Sequence, residues 1–202
     1  MGAILRRPRV SVARGLVCGH PAGANERKRR MTKALCVMKF GGTSVGDADC
    51  IRRAAAIVKS AAAQSPVVVV VSAMSGVTNR LIDAANRAKT GQSDFLPGLI
   101  DGLRKQHTMA LEALVSDPKR RTETTDALNA VLAELERLLQ GTALLSELTP
   151  RALDAISGIG ERLSTPLLAG AVHQMGVPAI AISATELIVT DGELRLEPIT
   201  GT

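Results

Sequence analysis

Lys39, Gly41, Gly42, Thr43 and Ser44 are the residues whose order in this chain first suggests chemistry. They stand in Met38-Lys39-Phe40-Gly41-Gly42-Thr43-Ser44-Val45, at the end of a short apolar run over residues 34–38 with the composition of a buried strand. Gly46-Asp47-Ala48-Asp49 and an alanine-rich helical stretch follow, so the loop opens onto a helix N-terminus. Such a turn suits an anion. Glycines let backbone N–H groups approach closely, a helix start adds partial positive charge, and Lys39 supplies a full one. The lysine precedes the glycines, so the spacing is not that of the P-loop, where it follows them. An ordinary strand-to-helix turn with a solvated lysine would use the same residues, and spacing alone leaves both readings open.

Two more segments place polar side chains after apolar elements. Five consecutive valines, residues 67–71, lead into Ser72-Ala73-Met74-Ser75-Gly76-Val77-Thr78-Asn79. Hydroxyls in a loop after such a strand lie where open α/β sheets bind ligands, although Ser and Thr there also serve as turn caps. Farther on, Glu161 follows Ser157-Gly158-Ile159-Gly160. Each of those glycines would cost a helix about 1 kcal/mol against alanine, a cost that close packing against a neighbour would offset. Glu161 itself is then either a ligand contact or a surface partner for a nearby base.

Together these segments resemble the aspartokinases of the amino-acid kinase superfamily. Lys39 to Val45 is similar to the opening signature of that family, the valine run with Ser72 to Asn79 to its second strand and loop, and Gly160-Glu161-Arg162-Leu163-Ser164 to its substrate-side helix motif. The resemblance covers roughly residues 32–191. It implies an α/β fold, a three-layer α/β/α sandwich with a mainly parallel sheet, here incomplete and carrying a helical insertion. The implied activity is phosphorylation of the L-aspartate side chain by ATP with Mg2+, opening lysine, threonine and methionine biosynthesis. It assigns Lys39, with Phe40, Gly41 and Gly42, to the transferring phosphoryl group, sets Ser72 near it, and gives Thr78 and Glu161 to the aspartate substrate. L-aspartate and ATP are the implied partners, and a homo-oligomer in the cytoplasm is the implied state of the full-length enzyme. Acetylglutamate kinase is the alternative within the superfamily; Phe40, Thr43-Ser44 and Gly160-Glu161-Arg162 favour aspartate.

The resemblance also implies segments that this sequence does not contain. A later Gly-Arg-Gly-Gly-Ser-Asp stretch, a nucleotide-binding region and two regulatory ACT domains are absent. The expectation is therefore the N-terminal part of a kinase, with negligible activity alone and an exposed sheet edge. A non-catalytic remnant or interaction module is the competing class.

The elements that must hold these residues are legible in outline. Residues 48–63 carry Ile51, Ala54, Ala55 and Val58 at helical spacing. Strand, helix and valine strand make a βαβ unit, whose crossover should be right-handed. The uninterrupted valines predict a central strand covered on both faces. Residues 72–79 read as loop and 80–89 as helix, broken by Gly91-Gln92-Ser93-Asp94. Residues 95–141 read as a helical lobe of two stretches, parted at Asp117-Pro118 and ended by Gly141. Thr149-Pro150 predicts the start of one long helix reaching residue 175, kinked by Pro166 near Arg162. Residues 177–183 and 187–190 read as further strands.

Composition narrows the function classes. With 46% hydrophobic residues, no tryptophan or tyrosine and two phenylalanines, the 202-residue chain builds its core from aliphatic side chains. It lacks the aromatic platform that single-stranded nucleic acid uses, and no apolar run nears the ~20 residues of a membrane span. Neither nucleic acid nor membrane is expected as a partner. The net charge of +6 is local: residues 1–30 carry eight basic groups against Glu26, a charge of +7, leaving −1 for the rest. That basic stretch reads as a disordered extension. A nucleic-acid arm, a transit peptide and an upstream start assignment all account for it; the last, with Met31 as the natural start, is the reading adopted here. Cys18, Cys36 and Cys50 show no metal-ligand spacing and read as thiols of a reducing compartment. His20, His107 and His173 read as surface or helix-face residues, and no metal site is expected.

Overall fold

A computed structural model describes residues 2–5 and 34–186. The expected strand at 187–190, Cys18, His20, most of the basic extension and Met31 lie outside the described residues. In chain order the elements are β1 (Gly2–Leu5), β2 (Cys36–Phe40), α1 (Ala48–Ala62), β3 (Val67–Val71), α2 (Val77–Ala88), α3 (Leu96–Leu114), α4 (Pro118–Leu145), α5 (Pro150–Ser157), α6 (Ile159–Gln174) and β4 (Ile180–Ser183). The sheet runs β2-β3-β1-β4. β2 and β3 are parallel, with Lys39 level with Val70, and β1 is antiparallel to both β3 and β4. Three of the four strands therefore point the same way, as the sequence predicts for an incomplete α/β fold with a mainly parallel sheet.

The two faces of that sheet differ. Val67, Val69 and Val71 are buried, and α1 and α6 lie against this side. On the other side Val37, level with Val68, is 64% exposed, and Val68 and Val70 are only half-buried. Covering of the valine strand on both faces, expected from its unbroken run, is thus not found among the described residues. The alternate valines, Val68 and Val70, sit instead on a pleated, half-buried surface, which β-branched side chains also suit.

Helix periodicity explains the rest of the core. α1 buries Ile51, Ala54, Ala55, Val58 and Ala62 along one stripe, and α4 buries Leu128, Leu132, Leu135 and Leu139. α6 is buried almost all round, touching α1, α3, α4 and the sheet, so it is the axle of the molecule. Gly170 permits one of those contacts: a β-carbon there would meet Val115 Cγ2 at 2.9 Å.

Within the basic extension, residues 2–5 form β1; Gly-Ala-Ile-Leu is an uncharged, apolar run ahead of the first arginine, and β3 and β4 offer it backbone partners. Three expectations change. α4 does not stop at Gly141 but continues to Leu145, because Leu139 and Thr142 still bury themselves there; it ends at Ser146 with φ 50°. The single long helix from Thr149 is two helices joined at Gly158, and α6 then runs through Pro166 without interruption. His107 is fully buried on α3, not on the surface.

Candidate active site

Two loops leave the carboxyl ends of β2 and β3 side by side. Ser72 N–H donates to the Phe40 carbonyl at 3.0 Å, extending the ladder by one bond beyond the strands. Residues Gly42–Ser44 form a tight turn that begins with Ser44 N–H donating to the Gly41 carbonyl at 2.9 Å. Buried Val45 anchors the turn, and Gly46 is where the loops touch: a β-carbon on it would collide with Ser75 Oγ. Ser75 N–H in turn donates to the Gly46 carbonyl at 3.3 Å.

Between the loops lies an open cavity of about 370 Å³, lined by Gly42, Thr43, Ser72, Gly76, Thr78 and Asn79 among others. Three predicted residues, Gly42, Ser72 and Thr78, are therefore brought together. Lys39 is exposed on β2 and is not part of the lining; its Nζ is 3.9 Å from where a Gly41 β-carbon would stand. The ammonium thus folds over its own glycine, and among the described residues no carboxylate pairs with it. Phe40 is half-buried and contributes its carbonyl to Ser72.

The anion-friendly helix start is not the one that the sequence suggests. At α1 the Asp47 carboxylate already accepts from Cys50 N–H at 2.8 Å, a bond that holds Asp47 below the usual carboxylate range. That start is capped from within. α2 begins three residues earlier than expected, at Val77, so Thr78 sits in its first helical turn instead of in a loop. Its cap position is Gly76 at φ 75°, which carries no side chain to cap the helix, and this turn opens into the cavity. Gly76 has to be glycine or strained, since a β-carbon disfavours that left-handed conformation.

α6 closes the site from behind. A β-carbon on Gly160 would stand 2.6 Å from Ala73 Cβ and 3.2 Å from Val77 Cγ1, so the helix backbone rests directly on the second loop. Four residues later, Ser164 Oγ donates to the Ser72 carbonyl at 2.6 Å. Glu161 lies between these contacts, half-buried, with its carbonyl accepting from the Ser164 and Thr165 hydroxyls. Its carboxylate is not among the groups lining the cavity. Arg162 points away from it, to a bidentate pair with Glu134 of α4 at 2.6 and 2.7 Å; that hydrogen bonding lowers the Glu134 pKa.

Several supports were not predicted. Gln106 donates to the Ser75 carbonyl at 3.3 Å and also accepts from Arg80, bracing the second loop from α3. Their sequence separations, 31 and 26 residues, leave no local signal. Gly76 and Asn79, which the sequence places in the second loop without a role, also line the cavity, and Thr43 joins them there; the Ser75-Gly76 turn pair is the local cue. Among the described residues no group of three or more His, Cys, Asp and Glu could hold a metal ion.

Residues 34–199 match the amino acid kinase family. The chain belongs to that family. Among curated proteins it is similar to an aspartokinase of Schizosaccharomyces pombe, 32% identical over 170 residues, and to the chloroplastic aspartokinase 1 of Arabidopsis thaliana, 34% identical over 160 residues. These alignments cover 81% and 77% of this amino acid kinase family chain, but only 33% and 27% of the relatives. Among solved structures it resembles E. coli aspartokinase III in complex with aspartate and ADP in the R-state, with a TM-score of 0.58, 30% identity, and coverage of 71% of this chain and 30% of that one. The T-state complex of the same protein with lysine and aspartate gives a TM-score of 0.59 at the same identity and coverage. No helix among the described residues is long and apolar enough to cross a membrane.

Proposed function

We propose that this chain supplies the N-terminal part of an aspartate kinase, which transfers the γ-phosphoryl group of ATP to the side-chain carboxylate of L-aspartate and yields 4-phospho-L-aspartate. The observation that carries this reading is the meeting of Gly42, Ser72 and Thr78 around one cavity at the carboxyl ends of β2 and β3, beside a lysine that has no carboxylate partner among the described residues. The relatives that match along most of the chain are aspartokinases.

The attacking oxygen of such a substrate is already an anion, so the protein need only align it and neutralise charge as the phosphoryl group moves. Lys39 is the residue for that charge, with the backbone N–H groups of Gly41 and Gly42 as donors to the phosphoryl oxygens. The uncapped first turn of α2 adds partial positive charge to the same cavity. Ser72 stands near the phosphoryl group, and Thr78 and Glu161 hold the amino-acid substrate, Glu161 by accepting from its ammonium. Mg2+ enters with the phosphates of ATP. The same reading makes the full-length enzyme a cytoplasmic homo-oligomer at the head of lysine, threonine and methionine synthesis.

The test is ADP release with a panel of acidic amino acids, measured on this chain and on one extended to full kinase length. Release from the extended chain with L-aspartate, and little from the 202-residue chain, is expected. Preference for N-acetylglutamate, or no acceptor at all, would overturn the proposal.

A further inference from the structure

Gly2–Leu5 lies far upstream of the family match at 34–199, yet it occupies the interior of the sheet. On one side Gly2 stands opposite Val71 and Leu5 opposite Val68; on the other, Gly2 stands opposite Ser183 and Leu5 opposite Ile180. Among the described residues β3 and β4 are not hydrogen-bonded to each other, and these four residues make the only ladder between β4 and the rest of the sheet.

We propose that the gap between β3 and β4 is a strand-acceptor site, and that the ligand it takes is a short uncharged apolar strand, supplied here by the chain's own residues 2–5. β3 and β4 each turn a row of backbone N–H and C=O groups toward the gap, and buried groups of this kind must find partners. With neighbouring strands about 4.8 Å apart, a gap one strand wide admits a single extended segment. Its composition is set by its neighbours. Ile4 is level with Val69, which is 1% exposed, and Ala3 is level with Val70 and Ile182. On the face that Val69 shares, a charge would be buried without a partner, whereas Val70 and Ile182 are half-buried. Gly-Ala-Ile-Leu is the uncharged opening of an otherwise basic stretch, and the ladder ends at Leu5, immediately before Arg6. A polypeptide beginning at Met31 would lack this strand and would leave the site open to a strand from another chain. The inference is independent of the phosphoryl-transfer reading.

Two measurements on the full chain test it. In an Ala3→Cys, Ile182→Cys variant, mild oxidation should give an intramolecular 3–182 disulfide, identified by peptide mapping. Its absence, or its appearance only between two chains, would overturn the proposal. In Ile4→Pro, which removes a ladder donor from an interior strand, amide exchange at residues 180–183 should rise at least tenfold while α3 and α4 keep their protection. Unchanged exchange at residues 180–183 would equally refute it.

Discussion

Gly160 meets Ala73 so closely that no side chain fits between them: a β-carbon on the glycine would lie 2.6 Å from that of the alanine. The contact sets α6 directly on the loop that carries Ser72 and Thr78. Gly160→Ala should therefore destabilise the protein by about 1–3 kcal/mol through overpacking, outweighing the gain of about 1 kcal/mol in helix propensity. Denaturant unfolding measures this. A variant more stable than the parent would show that the loop yields freely.

Lys39 projects from an exposed strand position and pairs with no carboxylate among the described residues. Lys39→Ala should leave unfolding within about 0.5 kcal/mol of the parent, as for most surface substitutions. In a full-length kinase built on this chain the same change should lower turnover by at least about 100-fold, the order seen when one donor to a developing charge is removed. Near-normal turnover would remove Lys39 from the proposed chemistry.

Glu161→Gln separates the two substrates. With the carboxylate neutralised, KM for aspartate should rise several-fold more than KM for ATP in the full-length enzyme, because one interaction with the substrate ammonium is lost. Equal rises for both substrates would argue for a merely supporting position on α6.

The Arg162–Glu134 pair ties α6 to α4, and its hydrogen bonds hold Glu134 below the usual carboxylate pKa. The unfolded chain then takes up this proton at higher pH than the folded one. The stabilisation is complete above the ordinary glutamate range and disappears as the pH falls through the lowered folded value. Both side chains keep contact with water, so Glu134→Gln should cost no more than about 1 kcal/mol at neutral pH. The difference from the parent should shrink in acid, as thermal melts across pH would show.

His107 supplies a second pH dependence. Its Nδ1 donates to the Leu103 carbonyl at 2.7 Å, while its buried Nε2 has no hydrogen-bond partner among the described residues. Burial lowers its pKa, so the folded protein resists the proton that the unfolded chain accepts near pH 6.5. Stability from the neutral ring is full above that pH and declines as acid is added. His107→Leu should flatten the stability profile just below pH 6.5. An unchanged slope there would assign it to other groups.

Much of this architecture could be read from residues alone, for identifiable reasons. α1 declares itself because a stripe of alanines with Ile51 and Val58 has a helical period, and β3 because five consecutive β-branched residues suit a short strand better than a helix. The cavity was legible through Gly42, Ser72 and Thr78, which belong to contiguous motifs. What escaped depends on partners distant in sequence. Nothing local around Asp47 tells whether its carboxylate closes the helix or leaves room for a ligand. The break at Gly158 lies two residues before Gly160 reaches Ala73, a contact across 87 positions that no local pattern reveals. His107 looks like any helix-face histidine until α3 is packed, and β1 is too short to show a period at all.

The strand that carries Lys39 is the rim of the sheet, laced to β3 on one side and, among the described residues, to nothing on the other. An ammonium mounted on a rim is only as steady as that single seam. Any polypeptide that stitched itself along Cys36–Phe40 would steady the cation without touching it, so control over the proposed phosphoryl transfer would come from the outer margin of the sheet as readily as from the cavity.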